Sequence, residues 1–154
     1  RRIPVLKKQG NAFLARDRIR NETFHYFKRG MKRLAIELEL EHVVVYLVHL
    51  SLGARARHNQ LSDLYDMVKN TQKPCIVAGD FNAFWGNREL QLFLAATGLK
   101  NCNGQGQPSH PSRSPRRQLD YIFHSQQIRT ISFKIPRIKL SDHIPLVYDF
   151  KIET

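Results

Sequence analysis

Hydrophobic positions along the chain fall into short runs separated by polar breaks, and most runs have the length of strands. Residues 33–40 alternate, with Leu34, Ile36, Leu38 and Leu40 on one face and Arg33, Glu37 and Glu39 on the other, the two-residue period of a half-buried strand. After the polar step Glu41-His42, residues 43–50 form a continuous β-branched run, which predicts a buried strand paired as a hairpin with its predecessor. Leu61, Leu64, Tyr65 and Val68 then recur at three- and four-residue spacing and predict a helix over 54–69. Pro74 introduces another buried strand, Cys75-Ile76-Val77-Ala78-Gly79. A second helix fits 87–97, with Leu90, Phe93 and Leu94 on its apolar face and Gly98 as its stop. Residues 11–16 read as a short apolar strand, and 118–123, 128–135 and 145–152 as three more.

Between 101 and 117 the composition shifts to Gly, Pro, Ser, Asn and Arg, which reads as a loop inside one domain. Strands paired as hairpins, with helices between some of them, predict an α/β protein with mixed sheets. A helix bundle or an all-β sandwich fits poorly. The 154 residues suit a single domain, 1–154. A content of 42% hydrophobic and 25% charged residues excludes collagen-like, coiled-coil and mostly disordered chains. No transmembrane segment is expected, because no stretch approaches the roughly 18–20 apolar residues that span a bilayer. The basic start lacks the apolar centre of a signal peptide. Two cysteines are too few for a disulfide framework, so a reducing, cytoplasmic location is the expectation.

Charge narrows the partners. Twenty-five Lys and Arg against 13 Asp and Glu leave a net +12, which favours a polyanion such as nucleic acid or phospholipid head groups without separating them. The basic residues form scattered groups, among them Arg1/Arg2/Lys7/Lys8 and Lys28/Arg29/Lys32/Arg33. Arg113, Arg116 and Arg117 lie in the Gly/Ser/Pro loop, which is expected to be a mobile rim that contacts substrate phosphates.

Four short segments place polar, metal-competent residues where apolar runs break. His49 ends the 43–48 run, Asp80 and Asn82 follow Gly79, Asp120 sits in Leu119-Asp120-Tyr121-Ile122, and Asp142-His143 opens the last strand. Singly, each has an ordinary structural explanation, since a carboxylate beside an apolar strand needs only a pairing partner. Together they supply oxygen ligands for Mg²⁺ or Mn²⁺ and a His–Asp proton-transfer unit. Phosphate-ester hydrolysis needs that combination.

The order His49-Leu50-Ser51-Leu52-Gly53…Arg57…Gln60, Gly79-Asp80-Phe81-Asn82-Ala83, Leu119-Asp120-Tyr121-Ile122 and Ser141-Asp142-His143-Ile144-Pro145-Leu146 closely resembles the endonuclease/exonuclease/phosphatase superfamily, the deoxyribonuclease-I-like enzymes. Gly10-Asn11-Ala12-Phe13-Leu14-Ala15-Arg16 resembles a mid-domain strand of the same family. The resemblance implies a four-layer sandwich, two mixed β-sheets flanked by helices, with the site at one edge. It implies Asp142 as a metal ligand, helped by Asp80, and His143 as a residue that contacts the scissile phosphate and helps to activate water, with Asp120 as its carboxylate partner. Asp80 would orient or deprotonate the water, Asn82 would stabilise the phosphoryl oxygens, and His49 would protonate the leaving group. The segment Gln107-Pro108-Ser109…Pro115…Leu119-Asp120 resembles bacterial members.

One departure stands out. Family members carry a strand ending in a metal-side Asn and another ending in a metal-binding Glu upstream of the Gly10-like segment. Only nine residues precede Gly10 here, and none is Asn, Asp or Glu. The expectation is therefore the C-terminal portion of the domain, its N-terminal strands missing and supplied, where needed, by a complementing segment or partner chain. Two functions follow: a metal-dependent phosphodiesterase, or an inactive module that binds polyanions or a partner.

Overall fold

The computed structural model describes residues 10–30 and 34–153. The basic residues Arg1, Arg2, Lys7, Lys8, Lys32 and Arg33, and with Arg33 the first position of its predicted strand, lie outside the described residues. Eight strands and two helices follow in the order β1 (Asn21–Tyr26), β2 (Leu34–Glu39), β3 (Val44–His49), α1 (Ala54–Asn70), β4 (Cys75–Asp80), α2 (Arg88–Thr97), β5 (Lys100–Asn101), β6 (Asp120–His124), β7 (Ile128–Lys134) and β8 (Val147–Ile152). The first sheet is mixed, in the order β1-β2-β3-β4-β6-β5, and the second pairs β7 with β8. The α/β architecture is as the sequence predicts.

The alternation of strand side chains divides the core. Val44, Tyr46 and Val48 of β3, Cys75 and Val77 of β4 and Tyr121 and Phe123 of β6 point to one face of the first sheet, where they pack on Leu61, Leu64 and Val68 of α1 and Leu90 and Phe93 of α2. The other residues of the same strands, Val45, Ile76, Ala78 and Ile122, pack on Ile128, Tyr148, Phe150 and Ile152 of the β7–β8 hairpin. Among the described residues this makes three layers: helices, mixed sheet, and a hairpin whose pairing is antiparallel throughout. A crossover through α1 makes β3 and β4 parallel, so both end at the same sheet edge. Beyond the hairpin, at that edge, Leu47, Ala78, Ile122, Leu140, Ile144 and Leu146 line an apolar groove of about 500 Å³.

Two expectations need correction. Residues 11–16 are not a strand; residues 12–16 are exposed, and Asn11 is held by its side-chain hydrogen bond to Leu34 O at 2.9 Å rather than by a ladder. The first described strand is instead Asn21–Tyr26, antiparallel to β2. The last strand begins at Val147 rather than at Pro145, whose ring nitrogen has no hydrogen to give a ladder.

The close of β4 is the tightest point of the backbone. Gly79 has φ +145°, and a Cβ there would sit 1.8 Å from the carbonyl oxygen of Val48. Gly79→Ala should therefore destabilise more than the buried truncation Leu64→Ala, for which the usual cost is about 2–5 kcal/mol. Urea unfolding midpoints of the two variants check this, and a Gly79→Ala midpoint equal to wild type would refute the close approach.

Candidate active site

Strand register builds the site's first row. His49 is paired across the sheet with Asp80, and Asp80 with Asp120, so β3, β4 and β6 set three polar residues side by side. All three share the face opposite the helices, just past the apolar Val45, Ala78 and Ile122. The His49 Nε2 lies 3.2 Å from Asp80 Oδ2.

The turn after β4 fixes Asp80 and Asn82. Asp80 Oδ1 accepts the Asn82 backbone N–H at 2.8 Å, and Asn82 adopts φ 51°, a left-handed conformation that Asn tolerates better than most residues. The buried Asn82 amide donates to Leu50 O at 2.8 Å, which leaves one of its two Nδ2 hydrogens for the pocket. From α1 the buried Arg57 donates to the carbonyls of Ser51, Leu52 and Asn82 and pairs through Nε with Glu89 of α2.

A second strand-to-loop passage brings in Asp142 and His143. His143 Nδ1 lies 2.7 Å from Asp120 Oδ2, which also accepts the Ser109 hydroxyl at 2.6 Å. A carboxylate only accepts, so the His143 proton resides on Nδ1 and Nε2 is left as the ring's base. Ser112 holds the same segment, its backbone N–H donating to Asp142 O and its hydroxyl to Ser141 O. His49, Asp80, Asn82, Asp120, Asp142 and His143 thus line one open pocket of about 430 Å³. The structure also brings in Leu52, Phe84 and His110, which the sequence reading did not single out. The fully buried Ser109 orients Asp120, a role that the resemblance of the segment Gln107-Pro108-Ser109 to bacterial members does not assign.

The three arginines separate. Arg117 donates to Phe84 O at 2.6 Å and lies 5.7 Å over the Phe84 ring, at the pocket wall. Arg113 lines a neighbouring depression together with Asp142, and Arg116 is exposed. Their loop is tied at several points, including Asn103 to Gln107 and His110 to Arg117.

Against this geometry, a sequence model of the endonuclease/exonuclease/phosphatase family matches residues 4–143. The chain belongs to that family. Its members are typically metal-dependent phosphoesterases or nucleases. Among curated relatives, a UPF0294 protein of Yersinia pseudotuberculosis is 33% identical over 111 residues, covering 71% of this chain and 42% of the relative. A UPF0294 protein of Erwinia tasmaniensis is 29% identical over 73% of this chain and 41% of its own length. The chain thus spans about two fifths of the length of these relatives. The fold is shared with a conserved protein of unknown function from Enterococcus faecalis (TM-score 0.74, 18% identity, 88% of this chain and 67% of that one). It is also shared with the catalytic domain of human Nocturnin (TM-score 0.63, 23% identity, 88% and 60%).

The residues present fit the divalent ion that this family generally uses. The pocket offers the carboxylates of Asp142 and Asp80 and the Asn82 amide, hard oxygen donors with room for the waters that Mg²⁺ retains. Two Asp80 oxygens already face protein donors, which makes the exposed Asp142 the more available ligand.

Burial raises the Asp80 carboxyl, but the His49 hydrogen bond, the Asn82 N–H and the electrostatic influence of His49 and His143 outweigh it and hold it below the usual aspartate value. A folded pKa below the unfolded one contributes stability that is present above about pH 4 and lost as pH falls through the folded value. The melting temperature of wild type should therefore exceed that of Asp80→Asn at neutral pH, and the gap should narrow on acidification below about pH 4. A gap independent of pH would show that the His49 and Asn82 contacts do not stabilise the ionised form.

Proposed function

We propose that this domain hydrolyses phosphate esters, and phosphodiesters in particular, with a nucleic acid or a phospholipid head group as the substrate class. The observation that supports it most directly is the in-register row His49–Asp80–Asp120 facing the His143–Asp120 pair across one pocket. Net charge +12 favours a polyanionic substrate, and one structural neighbour is a mannosyl-6-phosphatase of Bacteroides thetaiotaomicron, so phosphomonoesters are the natural control.

Asp80 is held ionised and aimed by the Asn82 N–H, which suits it to orient a water or take its proton. His143, its Nδ1–H given to Asp120, donates to a phosphoryl oxygen when Nε2 also carries a proton. The remaining Asn82 N–H is placed to stabilise charge developing there. His49 stands at the other side of Asp80 and is the proton donor for the departing oxygen. A divalent ion, Mg²⁺ or Mn²⁺, held by Asp142 with Asp80 would neutralise phosphoryl charge.

Arg113 and Arg117, beside the pocket, would hold flanking phosphates. The two cysteines are free thiols, which favours a reducing compartment such as the cytoplasm, and no helix among the described residues is long and apolar enough to cross a membrane. The apolar groove beside Leu47 and Leu140 is the surface a complementing segment or partner chain would cover.

With Mg²⁺ or Mn²⁺ present, a panel of single- and double-stranded DNA, RNA, phospholipid vesicles and a nitrophenyl phosphodiester should reveal turnover that a chelator removes. Asp80→Ala and His143→Ala should each lower kcat/KM by about 10²–10⁴-fold. His49→Ala should cost little on the nitrophenyl diester, whose leaving group needs no proton, and far more on an alkyl diester. Equal losses on both would remove His49 from the leaving-group role.

Replacing Arg113, Arg116 and Arg117 together should weaken polyanion binding and flatten the dependence of log K on log salt, each lost phosphate contact reducing the slope by about 0.7–0.9. An unchanged slope would make these residues solvated surface.

A further inference from the structure

His110 is the pocket residue that the proposed reaction leaves without a task. It is fixed from several directions. Its backbone is bonded to Arg117 in both senses, and its ring packs 5.8 Å from the Phe84 ring and 4.7 Å from that of His143, centroid to centroid. Yet its Nδ1 is buried and meets no hydrogen-bond partner in the structure. A buried nitrogen left unpaired is costly, and such atoms in native proteins commonly mark a bound water or ion.

Its neighbours supply the rest of a coordination set. One ring nitrogen of His110, one of His143 and a carboxylate oxygen of Asp142 lie within 4.8 Å of one another. His143 already has the arrangement typical of a metal-bound imidazole: one ring N–H given to a carboxylate, here Asp120, leaving the other nitrogen as a ligand of raised basicity. Asp120 is itself fixed by Ser109. Two imidazoles and one carboxylate differ in kind from the oxygen donors that suit Mg²⁺. They match Zn²⁺, which takes such ligands at about 2.0–2.2 Å and keeps a fourth position for water.

We infer that His110, Asp142 and His143 form a binding site for a borderline transition-metal ion of the Zn²⁺ type, separate in its nitrogen ligands from the oxygen-lined position proposed for Mg²⁺ and sharing Asp142 with it. The inference concerns binding and stands whether or not the domain hydrolyses phosphate esters.

Calorimetric titration of ZnCl₂ into the full chain tests it. Wild type should bind one ion, and His110→Phe, which retains a ring against Phe84, should bind at least about tenfold more weakly, since loss even of an outer-shell partner typically costs 10–100-fold. His42→Ala, at an exposed histidine outside the cluster, should bind as wild type does. Co²⁺ as a spectroscopic stand-in should give weak visible bands without a thiolate charge-transfer band, which excludes Cys102. Imidazole nitrogen resonances of the wild-type chain read the site without any substitution: Zn²⁺ should move those of His110 and His143 first. Zn²⁺ affinity unchanged in His110→Phe, or ring resonances of His110 and His143 left in place at saturation, would overturn the site.

Discussion

A single buried cation, the Arg57 guanidinium, joins the segments that carry the pocket. Arg57 is 1% exposed, and an uncompensated charge at that depth costs several kcal/mol. Its compensation is spread over the Ser51 and Leu52 carbonyls after β3, the Asn82 carbonyl after β4 and the Glu89 carboxylate in the first turn of α2. The loops that follow two parallel strands and the start of one helix therefore share one fork of donors. A lysine would satisfy fewer of them, because its ammonium lacks the planar geometry that reaches several acceptors at once. Gln60, one turn further along α1 and also buried, repeats the device by bonding Ser51 and Arg29. The helix is held to the sheet by apolar Leu61, Leu64 and Val68, but these polar residues decide where the loops lie.

That placement sets up an electrostatic contrast. The chain is strongly basic, yet the pocket gathers Asp80, Asp120 and Asp142. Each carboxylate has a different environment. Asp80 faces His49 and a backbone N–H; Asp120 receives Ser109 and His143; Asp142 is exposed. Three acids at one point draw a cation, while the chain's net charge of +12 favours a polyanion. The in-register row makes this inexpensive in chain length: β3, β4 and β6 are neighbours, so residues 71 positions apart in sequence, His49 and Asp120, meet through Asp80.

Legibility in the sequence followed periodicity. α1 was readable because Leu61, Leu64 and Val68 recur at helical spacing, and α2 because Gly98, with φ +76°, marks its end. β3 and β4 were readable as continuous apolar runs, since both faces of a central strand are covered. β1 was not: Asn21-Glu22-Thr23-Phe24-His25-Tyr26 lies at the sheet edge, its apolar residues Phe24 and Tyr26 are exposed, and so no buried stripe shows. Residues 11–16 misled for the converse reason, being apolar without packing as a strand. The polar residues at strand ends were found because they interrupt apolar runs. His110 and Ser109 interrupt nothing. They sit in a Gly/Pro/Ser stretch with no period to say which side chains face inward, and only the hydrogen bonds of that loop place them against Asp120 and His143.

His143 is where the two uses of the pocket meet. Its Nδ1 is committed to Asp120, so a single nitrogen, Nε2, remains for everything else. Protonated, that nitrogen can donate to a phosphoryl oxygen; deprotonated, it can bind a transition metal; it cannot do both at once. Asp142 faces the same choice, since one carboxylate serves the oxygen-lined position and the imidazole-lined one. The hydroxyl of Ser109 does not discriminate, because it orients Asp120 and hence His143 in either case. What discriminates is His110, which the proposed hydrolysis leaves without a task and one of whose ring nitrogens belongs to the alternative set. A phenyl ring at this position would preserve the packing against Phe84 while removing the alternative, so the chemistry of that one side chain, rather than the fold, decides how strongly a borderline ion competes for the pocket.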